Sequence, residues 1–457
     1  MPHPPDRWST PDSGRIPNPG AGYYAAQTRS WLVRDWFVER REQTEVVHQR
    51  TGLRVQAPLL ERGHSSRRDV PGGIERTWAE APHATLPSGV LPAHVVERAH
   101  GLLASAPRLP DAAIFTEALQ RLVDTARAAG AAHLDVLLRE VDQHILFATE
   151  DQLTEDRRRY TLLELKAFHT TAEGPVELWR CAAWPDGERM RAALPELESR
   201  VESMVRLLQE STPLAPCPTQ TLPIVLPPGS ASACFFHEVC GHPLEGDVVA
   251  RGGSYLANRL GQRVAEPFVS ISDDPTDGHE ALAYTRDDEG QAAQRVKLLD
   301  AGVLGSPLLD TQTAQRLGRT SNGHGRRVGF RHPPLPRMAH TRVEPHAGDL
   351  EGLLAGLERG LLVRHLTPRH MNLLSGDFSF YIVEAQEIRD GRVGRRLAPG
   401  VLSGNGLEAL ASIDAVGADL QNLFATRGCR KQDHGPLPVS FGQPSVRFRQ
   451  LHVRPWR

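Results

Sequence analysis

The string FFHEVCGHPLEGD, residues 235–247, constrains this chain more than any other. It sets His237 and His242 five residues apart, with Glu238 beside the first. On an ideal α-helix that gap separates the two side chains by about 140° around the axis, too far for both imidazoles to reach one ion. The commoner HExxH zinc helix keeps the gap at four residues, about 40°. The short helix that begins around Ser230 must therefore deform before His242. Gly241 has no Cβ and can take a bulge or a left-handed turn that swings His242 back beside His237, and Pro243 ends the helix at once. Glu238 then projects beside any ion held there, placed to take a proton from bound water and pass it to a leaving amine.

Two histidines do not hold a catalytic zinc, which takes three protein ligands and leaves a fourth position open. Cys240 lies between them and is the nearest rival ligand, but its place on a distorted helix turns it toward the core. The five cysteines (Cys181, Cys217, Cys234, Cys240, Cys429) are odd in number and without a repeated spacing. That argues against a disulfide framework and for a reducing cytoplasm. The amino terminus shows no apolar core behind a basic start, and no apolar run approaches 18 residues, so secretion and membrane spanning are not expected. The 53 basic and 55 acidic residues leave a net charge of -2, which gives no global field for nucleic acid or an anionic membrane.

The chain's 457 residues exceed one hydrophobic core. Residues 1–22, rich in Pro, Gly and polar residues, read as a disordered tail. An N-terminal α/β domain with a mixed sheet and helices is expected over 23–215. Alternating apolar and charged residues from Arg29 to Val55 indicate strands, as do Leu134–Val141 and Arg158–Phe168. Phe115, Leu119, Leu122 and Val123 form the stripe of a helix between Asp111 and Gly130. Leu197, Val201, Met204, Val205 and Leu208 form that of a second, opened by Pro195. Three prolines in residues 211–220 mark a boundary. The remainder, 220–457, breaks into short apolar runs and is expected to be a β-rich domain carrying the HExxxH zinc helix, so the fold class is α+β.

The segment RGCRKQDHGPLPVSFGQPSVRF near the end of the chain resembles the carboxyl-terminal signature of the TldD/PmbA family of metallopeptidases. FFHEVCGHPLEGD looks like that family's zinc helix, and Asp287–Asp310, Ser321–Thr341, Leu373–Gly394 and Gly404–Leu420 match its pattern in order. The resemblance covers nearly all of residues 220–450 and only the gross layout of the first 200. It implies His237, His242 and Cys429 as zinc ligands and Glu238 as the catalytic base. Zinc acidifies a coordinating thiol, and Arg427, Arg430 and Lys431 beside Cys429 favour the thiolate further. Glu245 and Asp247 follow the motif closely enough to orient a ligand imidazole through its second N–H, and read otherwise as a solvated turn. Arg326, Arg327 and Arg337, in a basic stretch with Arg331, His324 and His332, read either as a solvated loop or as a cleft wall for substrate carboxylates and the oxyanion.

The function implied is zinc-dependent hydrolysis of unfolded or short, including modified, peptides by a metal-bound water that Glu238 activates. The resemblance also implies a dimer, either a homodimer or a heterodimer with a family member lacking the zinc motif. Two alternatives stand beside it: a tailoring amide hydrolase acting on a natural product or modified peptide, and a non-catalytic scaffold subunit with a structural metal. The second would require four protein ligands, where only three are supported.

Overall fold

The structure is a computed structural model describing residues 34–70, 73–81, 93–106, 112–171, 174–209, 214–276 and 281–456. The tail expected over 1–22, the cap at Asp111 and part of the proline-rich boundary lie outside the described residues. In the first half, strands β1 (Arg34–Gln49), β2 (Gly52–Val55), β3 (Leu59–Val70), β4 (Gly73–Glu80), β5 (His133–Ala148), β6 (Leu153–Thr171) and β7 (Gly174–Trp184) form one sheet. Its order is β4-β3-β1-β5-β6-β7, with β2 pairing β1. All these pairings are antiparallel, which corrects the mixed sheet expected for the N-terminal region. Most strands follow one another through short turns, whereas a parallel neighbour needs a crossover of a dozen residues or more.

Helices α1 (Ala93–Ala104), α2 (Ala112–Ala128), the six-residue α3 (Gly187–Ala192) and α4 (Leu194–Gln209) accompany this sheet. The two apolar stripes read from the sequence are the faces that α2 and α4 bury, against Leu134, Val136, Leu163 and Leu165 of β5 and β6. Among the described residues no helix is long and apolar enough to cross a membrane.

The second half begins with β8 (Gln220–Leu226), β9 (Ile271–Asp273), β10 (Val296–Asp300), β11 (Val303–Leu304), β12 (Gly325–Arg326), β13 (Leu335–Pro336) and β14 (His340–Val343). It continues with β15 (Arg359–Met371), β16 (Asp377–Arg389), β17 (Arg392–Arg396), β18 (Gly400–Asn405), β19 (Ile413–Val416), β20 (Gln421–Lys431), β21 (His434–Gln443) and β22 (Val446–Pro455). One sheet runs β15-β8-β22-β18-β16, and because β16 also pairs with β15 these five strands close into a barrel. A second sheet runs β11-β10-β9-β14-β21-β20. Phe235, fully buried at the start of the histidine segment, packs its ring 5.3, 5.4 and 5.2 Å from those of Phe378, Phe380 and Phe448 of the barrel. The segment is thereby anchored two residues before its first histidine.

The two halves meet along a buried ionic seam. Arg67 of β3 pairs with Asp35 at 2.6 Å and with Glu289 of the second half at 2.7 Å, and Arg158 of β6 pairs with Asp288 at 2.8 Å. Arg331 reaches Glu61 and Glu80, and the Phe330 amide donates to Glu39. Asp310 lies at the edge of this seam and caps the helix Thr311–Arg316 by accepting from the Thr313 amide. Burial, and then Glu289, push its carboxyl up to about 7. A carboxyl raised in the folded state holds its proton more tightly there than in the unfolded chain. Its contribution to stability is therefore lost as pH rises from about 4, its unfolded value, through about 7. Asp310→Asn keeps the cap and cannot ionise. Thermal unfolding midpoints measured between pH 5 and 8 should fall less steeply for this variant than for the parent; parallel curves would show that Asp310 does not titrate in this way.

Candidate metal centre

β8 ends at Leu226, and Ser230 turns the chain by donating its hydroxyl back to the Pro227 carbonyl at 2.9 Å. The segment then changes pitch three times. A 3₁₀ turn at Ala231–Ala233 passes into an α turn at Cys234–Phe236, a π turn at His237–Gly241 and a 3₁₀ turn at His242–Leu244. In the π turn the His242 amide donates to the His237 carbonyl, so the fifth residue of the gap is absorbed by one wider turn. Gly241 has φ -64 and ψ -66, a right-handed conformation, so the bulge and not the left-handed turn is what forms. A glycine is needed for a different reason: a Cβ here would stand 3.0 Å from both Cγ and Sδ of Met338.

The result is convergence. His237 Nε2 lies 3.2 Å and His242 Nε2 3.3 Å from the sulfur of Cys429, and these three atoms fall within 4.8 Å of one another. The imidazoles meet edge to face at 4.9 Å between centroids. Cys429 comes from β20 where that strand is irregular. Ala425 faces Val439 and Cys429 faces Leu437, so four steps along β20 match two along β21. Gly428, at φ 64, sits within this bulge, which re-aims the next side chain.

The second nitrogens are held as a metal requires. Thr341 donates its hydroxyl to Asp273 at 2.8 Å, which leaves its oxygen to accept from His237 Nδ1 at 3.4 Å. His242 Nδ1 faces Glu245 Oε2 at 3.3 Å. With each Nδ1 engaged in this way, Nε2 is the atom that each ring turns toward the sulfur. Burial would raise the Glu245 carboxyl, but Lys431 and His242 hold it well below the usual carboxylate range. Burial would likewise raise the Cys429 thiol, yet His242 and His237 bring it well below its usual value. A zinc ion at ordinary bond lengths and tetrahedral angles separates nitrogen from sulfur by about 3.6 Å. The observed separations come within a few tenths of an ångström of that, so this donor set fits the ion.

Glu238 is half-buried and lines the same cavity as His237, His242 and Cys429. The cavity holds about 650 Å³. One wall comes from the second half, including His365 and Leu366 of β15, and the other from Glu164, Lys166, Glu177 and Trp179 of the N-terminal sheet. Cys240 is fully buried in the core and outside the cluster, its thiol pushed up by burial to about 12. The side chain of Arg427 lies outside the described residues. Arg430 is exposed at the cavity, while Lys431 turns inward to Glu245 at 2.8 Å.

Two expectations need correction. Arg326, Arg327 and Arg337 are 1–3 % exposed and do not line the cavity, so they form no cleft wall. Arg326 donates to the carbonyls of Met338 and Pro438, and Arg327 to those of Asp288 and His332. Arg337 instead braces the metal cluster, donating to the Cys429 sulfur and carbonyl, both at 3.1 Å, with its Nε 3.3 Å from Glu245. Asp247 touches neither histidine; it accepts from Lys431 at 2.5 Å and from Arg251 at 3.1 Å. Thr341, Asp273, Arg337 and Met338 are the supporting residues that spacing alone did not reveal. Arg337→Met should lower zinc affinity about 10–100-fold in competition with a chelator, with the fold retained; unchanged affinity would remove Arg337 from the support of Cys429.

The sequence profile of the PmbA/TldA metallopeptidase C-terminal domain matches residues 219–455. The chain is 29% identical over 353 residues to a Haemophilus influenzae protein named Metalloprotease TldD homolog, covering 73% of this chain and 71% of that one. It is 33% identical over 236 residues to a Buchnera aphidicola protein of the same name, covering 52% and 48%, and 34% over 265 residues to a Methanothermobacter thermautotrophicus metalloprotease, covering 58% and 56%. The match thus spans about half the length of these last two relatives. In fold it is similar to TldE of Thermococcus kodakarensis, with a TM-score of 0.71 at 17% identity over 92% of this chain and 96% of that one. With more than half of its length, including every residue of the histidine and cysteine cluster, inside the profile match, the chain belongs to the PmbA/TldD family.

Proposed function

We propose that this chain is a zinc metallopeptidase in which His237, His242 and Cys429 hold the ion and Glu238 is the general base. The observation that carries the reading is the convergence of two imidazole Nε2 atoms and the Cys429 sulfur at the wall of an open cavity. Three protein ligands are the count of a catalytic zinc, where a structural site closes with four. The names of the metalloprotease relatives support the same reading. Zinc, when bound, supplies a Lewis acid that polarises the scissile carbonyl and acidifies water.

The chain's own groups do the rest. Glu238 takes the proton from the attacking water and returns it to the departing amine, so it ends each cycle as it began. Glu245 and Thr341 fix the two ring tautomers, and Arg337 and the β20 bulge fix the sulfur. A cavity of about 650 Å³ admits a short or unfolded peptide segment and not a folded domain. The likeness in fold to TldE supports assembly with a second chain of this fold, either a copy of itself or a relative without the zinc motif.

Metal analysis and peptide hydrolysis on the same preparations test the assignment. Glu238→Gln should retain one zinc per chain and lose about 10²–10⁴-fold in kcat. Hydrolysis undiminished in the zinc-loaded variant would overturn the role of Glu238. Cys429→Ser should lose zinc affinity and Cys240→Ser should not, and the reverse pattern would move the site.

A further inference from the structure

The cavity wall facing the metal cluster is built differently from the cluster itself. Trp179, on the edge strand β7 of the N-terminal sheet, lies 5.4 Å from the ring of His365 on β15, tilted by 34°. Both line the cavity that contains His237, Glu238, His242 and Cys429. Leu366, Leu423, Val439 and Phe441 add apolar side chains to the same lining. Phe441 ties the two ends together, its ring 5.1 Å from that of His237.

Trp179 is also held in place. Two residues along β7, the Cys181 thiol donates to the Phe424 carbonyl of β20 at 2.7 Å and fixes the edge strand against the second half. Of the charged groups at this wall, Lys166 and Glu177 are paired with each other at 2.8 Å, and Glu164 lines the cavity beside them. His365 is uncharged at neutral pH, since burial, Arg180 and Lys166 bring its pKa down to about 4. Its ring therefore acts as an uncharged aromatic plate.

We propose that Trp179 and His365, one from each half of the chain, form a subsite that accepts a large apolar side chain, leucine or phenylalanine, next to the bond to be cleaved. This deepens and rests on the metallopeptidase reading. It gives the N-terminal sheet a task in substrate selection, and the rigidity of two rings packed on each other limits the ordering cost of binding.

The test uses peptide hydroxamates, whose head binds zinc and whose adjacent residue is leucine, phenylalanine, serine or aspartate. Dissociation constants are measured on the zinc-loaded full chain. The wild type should bind the leucine and phenylalanine compounds about tenfold or more tightly than the serine and aspartate ones. Trp179→Ala should bring all four within about twofold, leaving zinc affinity and the serine compound's affinity as they were. Trp179→Val, which keeps the seam between the halves filled, should lower the phenylalanine-to-serine ratio as well and serves if the alanine variant does not fold. Equal affinities in the wild type, or a preference that survives both substitutions, would overturn the subsite alone. Failure of every hydroxamate to bind the zinc-loaded protein would overturn the open catalytic metal, and the subsite with it.

Discussion

One hydrogen bond, from the His242 amide to the His237 carbonyl five residues back, governs the rest of this centre. It widens a single turn, and the widened turn brings both imidazoles to the same side, where an α-helix would splay them. The turn is bare at Gly241, and into that gap fits Met338. Met338 belongs to the stretch that also carries Arg337, which donates to the Cys429 sulfur, and Thr341, which accepts from His237. Packing against the glycine therefore places two of the groups that orient the proposed ligands. The distortion of the segment and the support of the site are one arrangement.

The sulfur arrives by a second irregularity, the bulge of β20. Neither irregularity would hold the site without a rigid surround. Phe235 fixes the histidine segment in the closed barrel, and β21 lies between β20, the strand of Cys429, and β14, the strand of Thr341. Burying charge around such a site is costly unless each charge is matched. Glu245 meets this condition, with His242, Lys431 and Arg337 all within 3.3 Å of its carboxylate.

What could be read from the sequence follows a physical line. Periodicity located α2 and α4, because the core sees every third or fourth residue of a helix and Phe115, Leu119, Val201 and Val205 recur at that interval. The five-residue gap and the glycine announced a deformed helix, since helical geometry is local. Sheet direction was not legible: alternation in β5 and β6 marks a strand but carries no sign of its neighbour's polarity. The arginines were misplaced for a related reason. The partners of Arg331 are Glu61 and Glu80, 270 and 251 residues away, and those that bury Arg326 are backbone carbonyls with no signature in the sequence. A basic cluster bonded to distant carboxylates reads the same, residue by residue, as one waiting for a substrate.

Turning those arginines inward changes the chemistry available in the cleft. Among the described cavity-lining residues the permanent cations are Lys166, already paired with Glu177, and the exposed Arg430. A cation in such positions is screened by water and holds little differential attraction for a developing oxyanion. Under the proposed reading, charge stabilisation of the tetrahedral state therefore falls to the ion. Two neutral imidazoles and one thiolate leave it a net positive charge, where a second thiolate would cancel it. Exclusion of Cys240 from the cluster is in this light a functional requirement. The π turn that aims His242 at the metal also sends Cys240 into the core, so a single backbone deformation selects the ligands and sets the charge.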